Sequence, residues 1–345
     1  MNALNKSKKI LIIQTAFLGD VILTTPLIEV INQQLTEYTI DFLTIPSSVN
    51  IVQYNPSLKN IIAFDKRGRD KGFKGLYSLS RRLADQHYEI CLTPHRSWRS
   101  AYLTKSTKAT YRVGFDTSVW PGAFTHLINY EQKTHEIERN LSLLQPLGIK
   151  KQQGLIYPKI FPTGEDIKVV LEILTNLALV NNKNLFAIAP GSIWSTKRWP
   201  LSYFQKFCQL LSDEIIKVLL IGSEDDKIIC DFIEQACDKC YSLAGKLTIR
   251  QTKYLLERCQ GILTNDSAPL HIGMAANIPV YAIFGPTIPQ FGFTPLGDKS
   301  KIFERKDLTC RPCGIHGGKK CPTKTFACMK EIYPEMVFRK VMHEA

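Results

Sequence analysis

The chain has 345 residues, 44% of them apolar and 22% charged, with a formal net charge of +13. That length accommodates two domains with separate cores, and ordinary apolar and charged fractions exclude a disordered or fibrous chain. No run approaches the ~20 apolar residues of a transmembrane helix, so membrane contact is expected to be peripheral.

At the N-terminus, Lys6, Lys8 and Lys9 precede Ile10-Leu11-Ile12-Ile13 and imitate a signal peptide. The apolar segment is short, Asp20 interrupts it, and no small-residue cleavage site follows. A first parallel strand over 9–14 and a cytoplasmic location are the better reading. Apolar spacing then predicts a helix over 20–35, strands over 40–45, 60–64 and 89–93, and a helix over 76–87. A short strand over 112–115 follows, then a helix over 135–147 closed by Gly148. Residues 149–166, rich in Lys, Gln, Gly and Pro, read as a linker.

A second series begins there. Helices are expected over 167–179, 201–211, 225–236 and 249–258, and strands over 185–189, 217–221, 240–243, 261–264 and 279–284. A terminal helix over 333–343 closes the chain, placed either in the second series or packed back on the first domain. Two successive β/α series imply an α/β protein of two doubly wound, Rossmann-like domains, 1–160 and 161–345, facing across a cleft. Most of the positive excess lies in residues 1–160. This suits a polyanionic partner, namely nucleic acid, anionic lipid or an acidic substrate, or simply a soluble basic surface. The basic segment 66–75 has one aromatic, Phe73, and no recognisable nucleic-acid module, which disfavours the first of these.

Functional residues are sought in the loops after strands. Asp266-Ser267-Ala268-Pro269-Leu270-His271 follows the apolar run Gly261-Ile262-Leu263-Thr264. Asp266 or Ser267 fits a helix N-cap and Pro269 the first turn. A helix N-terminus after a buried strand suits a phosphate, although an ordinary capped βα turn accounts for the same residues. Thr15-Ala16-Phe17-Leu18-Gly19-Asp20 has one glycine and no G-x-G-x-x-G, so it supports a dinucleotide site poorly. It places a carboxylate, Asp20, where either a helix cap or a general base fits. The loop from Pro190 to Pro200 combines Gly191, the hydroxyls of Ser192, Ser195 and Thr196, and Lys197. Hydroxyls with a cation suit a diphosphate. In Gly222-Ser223-Glu224-Asp225-Asp226, Glu224 is placed to accept from a ribose diol, while Ser223 or Asp225 fits a cap.

Ten cysteines divide into two groups. Cys91, Cys208, Cys230, Cys237, Cys240 and Cys259 lie in periodic segments and read as small core hydrophobes. Cys310, Cys313, Cys321 and Cys328 cluster late, with His316 between them. A Cys-x-x-Cys beside two more cysteines fits zinc, but the second pair is spaced by six residues, so these four are weak metal candidates. The expectation is no bound metal and a segment that shapes a loop.

These motifs occur in a fixed order: Phe17-Leu18-Gly19-Asp20-Val21, Pro190-Gly191-Ser192 with Lys197-Arg198-Trp199-Pro200, Gly222-Ser223-Glu224, Thr264-Asn265-Asp266-Ser267-Ala268 with His271, Phe284-Gly285-Pro286-Thr287, and the cysteine segment. Together they resemble the ADP-heptose:lipopolysaccharide heptosyltransferases, glycosyltransferase family 9, over nearly the whole chain. Within that family the cysteine segment, the Thr-Asn-Asp-Ser form and the Phe-Gly-Pro-Thr form look more like heptosyltransferase II than I.

The resemblance implies a GT-B fold with the acceptor on the N-terminal domain and the nucleotide sugar on the C-terminal one. It implies Asp20 as catalytic base, Ser192 and Lys197 at the diphosphate, Glu224 at the ribose, and Asp266, Ser267 and His271 in the final donor motif; Ser195, Thr196 and Ala268 are further donor-site candidates in the same loops. Many members have Gly where Ala268 stands, and Pro269 lacks an N–H, which bears on how closely the backbone approaches the donor phosphate. The implied reaction is inverting transfer from ADP-heptose to a lipopolysaccharide inner core, with no cofactor and no required metal. Arg96, Arg99, Lys105, Lys108 and Arg112 are candidate contacts to an acceptor bearing carboxylates and phosphates, or a solvated basic face. A peripheral place on the inner membrane follows from such an acceptor. Other readings are a different GT-B glycosyltransferase, a nucleotide-sugar epimerase or a basic nucleic-acid-binding protein.

Overall fold

The computed structural model of the protein describes residues 8–150 and 154–342. Lys6, part of the predicted linker and His343 lie outside them. The chain forms two compact units, one reaching to Phe161 and the other starting at Pro162.

The first unit runs β1 (Lys8–Ile13), α1 (Leu18–Gln34), β2 (Tyr38–Thr44), α2 (Val49–Val52), β3 (Leu58–Ala63), α3 (Gly72–Ala84), β4 (Ile90–Thr93), α4 (Trp98–Ser106), β5 (Tyr111–Phe115), β6 (His126–Ile128) and α5 (Glu136–Ser142). Its six-stranded sheet has the order β3-β2-β1-β4-β5-β6. Its strand pairs are parallel, with Ile10 opposite Ile40 on one side and Ile90 on the other. Helices cover both faces of such a sheet, which is why Ile10 to Ile13 read as an unbroken apolar run and are fully buried.

The second unit runs α6 (Gly164–Asn176), β7 (Leu185–Ala189), α7 (Leu201–Asp213), β8 (Lys217–Leu220), α8 (Lys227–Glu234), β9 (Cys240–Ser242), α9 (Ile249–Leu256), β10 (Ile262–Asn265), α10 (Ala268–Ala275), β11 (Val280–Phe284), β12 (Lys301–Glu304), α11 (Ala327–Lys330) and α12 (Pro334–Met342). The order β12-β11-β10-β7-β8-β9 is the same winding read from the other edge. In each sheet the strand order reverses at the centre, between β1 and β4 and between β7 and β10. The crevice at that reversal is where doubly wound sheets bind ligands.

Several elements differ from the sequence reading. Helix α4 was not expected, because its stretch is largely polar; Ser97 starts it by accepting the Ser100 N–H at 3.3 Å. Strands β6 and β12 are short sheet edges without a periodic signal. The helix predicted over 135–147 ends at Ser142. A separate 3-10 turn (Gln145–Leu147) containing Pro146 follows, and Gly148 closes it at φ +76°. Helix α1 carries Pro26 in its interior. Pro26 has no N–H for the Ile22 carbonyl, and the Thr25 hydroxyl donates to that carbonyl at 2.8 Å instead. Val337 and Val341 of α12 are buried in the core of the second unit, and Phe338 packs on Phe207 of α7.

Candidate functional site

In the first unit, Asp20 is the third residue of α1. Its Oδ2 accepts the Phe17 N–H at 3.1 Å, so the carboxylate does close the helix start. A carboxylate offers about four lone-pair sites, so this bond does not exhaust it. Burial, and then the negative charge of Glu136, push the Asp20 carboxyl up to about 7; the Phe17 N–H and Arg96 act the other way. Glu136 is itself buried and raised by that burial, against the pull of Arg139. Arg139 reaches Glu136 at 2.6 Å and donates to the carbonyls of Glu131, Gln132 and Thr134. The Tyr130 ring contacts two guanidiniums, with its centroid 4.1 Å from Arg96 and 4.8 Å from Arg139. Asn140 of α5 donates to Leu23 O of α1 at 3.1 Å, which fixes this charged group beside Asp20.

A second polar group sits at the end of β1. The Thr15 hydroxyl lies 2.8 Å from His95 Nδ1 and 3.2 Å from the Ser100 hydroxyl. Burial, then Lys66 and Arg96, lower the His95 pKa to about 4, so the ring is neutral at physiological pH. Lys66 donates to Thr15 O at 3.0 Å. Glu136, Arg139, Tyr130, His95 and Lys66 carried no motif in the sequence. What assembles them is the packing of α5 on α1 and the adjacency of β1 and β4, with Lys66 reaching in from the loop after β3.

Of the acceptor candidates, Arg96 alone is drawn into the electrostatics of Asp20, and its side chain also donates to Thr117 Oγ1 at 3.4 Å. Arg112 bonds the carbonyls of Ala123 and Ala109 at 3.0 and 2.6 Å and straps the loop after β5. Arg99 lies over Trp98 at 5.0 Å and Lys105 over Trp120 at 4.7 Å. Lys108 is exposed, with φ +56° at the end of α4.

In the second unit, the loops after β7 and β10 meet. Lys197 Nζ lies 2.6 Å from Asp266 Oδ2 and 3.2 Å from Asp266 O. An ammonium has three N–H donors, so one remains for an anion. Thr287 donates to the same Asp266 oxygen at 2.6 Å. Asn265 fixes the loop after β7 at both ends: its amide donates to Pro190 O at 2.8 Å and its carbonyl accepts the Trp199 N–H at 3.0 Å. Gly191 has a steric reason, since a Cβ there would lie 2.1 Å from Asp226 Oδ1. Asp226 closes its own turn by accepting from Ser223 N and Oγ.

The expected donor residues take different positions. Ser192 is buried, and its carbonyl accepts from Arg198 Nε at 2.8 Å. Ser195 donates to Lys319 O at 2.6 Å and Thr196 to Gly318 O at 2.7 Å, so both hydroxyls hold the cysteine segment. Glu224 lies against Gly245, where an added Cβ would come within 2.0 Å of its Oε2. Ser267 is the N-cap residue of α10 without a side-chain cap bond, Ala268 begins the helix and Pro269 follows. His271 is buried, with its ring 6.4 Å from Phe293.

All ten cysteines are free thiols; the six in periodic segments are buried, as is Cys328, while Cys310, Cys313 and Cys321 are part-exposed. Among the described residues no group of three or more His, Cys, Asp or Glu side chains is arranged to hold a metal. The Cys313 N–H donates to Pro286 O at 2.8 Å, and Arg311 donates to Phe284 O and Thr287 O. The segment therefore braces the loops that carry Lys197 and Thr287.

Two doubly wound units of this topology, each with polar loops at its strand reversal, have the GT-B architecture of a class of glycosyltransferases. The chain belongs to glycosyltransferase family 9 (heptosyltransferase), whose pattern matches residues 76–323. It is 25% identical to lipooligosaccharide heptosyltransferase 2 of Haemophilus influenzae, over 96% of this chain and 98% of that one. The solved structure of a family 9 glycosyl transferase from Veillonella parvula has TM-score 0.87 at 22% identity, covering 98% of each chain. ADP-heptose lps heptosyltransferase II of E. coli has TM-score 0.76 at 21% identity, covering 96% of this chain and 97% of that one. At these identities the structural likeness concerns the fold. Family membership disfavours the epimerase and nucleic-acid readings.

Proposed function

We propose that the protein is an inverting heptosyltransferase. It moves heptose from ADP-L-glycero-β-D-manno-heptose to a Kdo- or heptose-bearing inner core of lipopolysaccharide. The observation that carries the chemistry is the Asp20 carboxyl, raised to about 7 in the first turn of α1, the helix that follows β1. A base of that pKa is matched to proton transfer near neutral pH. Asp20 takes the proton of an acceptor hydroxyl as its oxygen attacks the anomeric carbon. The bond from that carbon to the diphosphate oxygen breaks, and ADP leaves. Lys197 and the N-terminus of α10 meet the charge that develops on the diphosphate. Asp266, held by Thr287, positions Lys197, and Glu224 binds the ribose. Arg96, beside Asp20, binds acidic groups of the acceptor.

The N-terminal unit thus serves the acceptor and the C-terminal unit the nucleotide sugar. No described helix is long and apolar enough to cross a membrane. With a lipid-anchored acceptor, the enzyme works as a peripheral protein on the inner face of the cytoplasmic membrane. The deciding experiment incubates the protein with ADP-heptose and a heptose-deficient core acceptor, and reads the acceptor by mass spectrometry. Addition of one heptose supports the reading. ADP-heptose consumed without any acceptor, or no addition to a panel of truncated cores, overturns it.

A further inference from the structure

The outer face of α3 has no role in the chemistry above, and its composition is unusual. Residues 66–82 hold seven Lys or Arg and one acid, Asp70. Asp70 is buried and paired with Arg69 and Arg82, while Arg67, Lys71, Lys74 and Arg81 are exposed cations of the same stretch. Leu76, Leu79, Ser80 and Leu83 turn the other face of α3 into the core. Beside that core face, Phe73, Tyr77 and Arg81 follow one another at i, i+4 spacing along the solvent side. Phe73 is 82% exposed and Tyr77 58%. From α4, Trp98, 38% exposed, extends the stripe, with its ring 6.3 Å from that of Phe73. Arg99 lies over the Trp98 ring at 5.0 Å. Lys66, Arg67 and Arg99 share one field: burial and the two arginine charges hold the Lys66 ammonium below its ordinary value.

We propose that this face, formed by Phe73, Lys74, Tyr77 and Arg81 of α3 with Trp98 of α4, docks the protein on an anionic lipid bilayer. Exposed aromatics cost free energy in water and settle at the headgroup level of a membrane, where apolar rings and polar edges are both satisfied. The surrounding cations meet lipid phosphates, each worth roughly fivefold in binding. A second copy of this chain is a poor occupant, because the same cations would repel one another. The proposal deepens the reading above, since such a surface brings the acceptor-binding unit to a lipid-anchored substrate.

The test is co-sedimentation of the full chain with vesicles of phosphatidylglycerol and phosphatidylcholine, against vesicles of phosphatidylcholine alone. The wild type should bind the anionic vesicles about tenfold more tightly or better. F73A/Y77A should lose about fivefold or more of that binding, and K74E/R81E about tenfold or more. Phe73→Trp should retain it. All three should melt like the wild type and bind ADP unchanged, because the altered side chains are exposed and lie outside the donor loops. Equal binding to both vesicle types overturns the proposal, as does indifference to F73A/Y77A. Tighter binding of a short single-stranded RNA than of anionic vesicles also overturns it. Vesicle binding reads the docking face without any turnover. Failure of heptose transfer alone would therefore strike the function reading and leave this one standing.

Discussion

The Lys197 ammonium and the Asp266 carboxylate form an ion pair at 2.6 Å, with their side chains only 11% and 9% exposed. The pair joins the loop after β7 to the loop after β10, and Thr287 fixes its acidic member from a third loop. Removing one partner strands a buried charge, which costs about 3–5 kcal/mol, more than the pair itself contributes. Lys197→Ala should therefore lower the melting temperature and also weaken ADP binding by about 1.5–3 kcal/mol, the range for charge-assisted hydrogen bonds. The double variant Lys197→Met/Asp266→Leu should recover much of the stability and none of the ADP affinity. Calorimetric titration with ADP checks both, and unchanged affinity in Lys197→Ala would remove this lysine from the donor site.

Asp20→Asn should preserve the fold, since an amide oxygen still accepts the Phe17 N–H. Turnover should fall by about 10²-fold or more, the scale of a lost general base. Near-wild-type kcat would leave Asp20 as a helix cap only.

The raised carboxyl of Asp20 fixes a pH signature. As the required base, it makes kcat/KM rise with pH through about 7 on the acid limb. Stability runs the opposite way. The folded value lies above the ordinary carboxyl value of 3.8, so the folded state holds the Asp20 proton more tightly. The stability this contributes is complete below about 4 and is lost as pH rises through about 7. Difference melting curves of wild type and Asp20→Asn across that window should show the wild type losing ground as pH rises. A constant difference would contradict the raised value.

Glu224 is placed against Gly245, with no Cβ between the carboxylate and the backbone. Glu224→Ala should weaken adenosine and ADP alike, because its proposed partner is the ribose. A loss for ADP alone would move Glu224 to the phosphates. Gly245→Ala should reproduce part of the defect by displacing the carboxylate.

The cysteine segment is expected to act through the loop it braces. Cys310→Ser/Cys313→Ser should lose stability before intrinsic kcat, and elemental analysis of protein purified under reducing conditions should find well under one zinc per chain. Stoichiometric zinc released only on unfolding would make the segment a structural metal site.

By itself the sequence determined both doubly wound series, because strands buried on both faces must be apolar throughout and helices beside them must repeat at 3.6 residues. Asp20, Lys197, Glu224 and Asp266 stand out as candidates for a related reason: each follows such a strand, at the point where an α/β sheet presents its loops. Short edges such as β6 and β12 left no signal, since half-exposed strands of three or four residues need no pattern. What tertiary structure alone decided is which charges meet. Glu136 lies 116 residues from Asp20, and only the packing of α5 on α1 gives it a voice in that carboxyl's titration. Ser195 and Thr196 read as phosphate ligands in sequence, yet their hydroxyls hold Gly318 and Lys319. A hydroxyl bonds whichever acceptor the fold brings within 3 Å, and no local pattern records that distance.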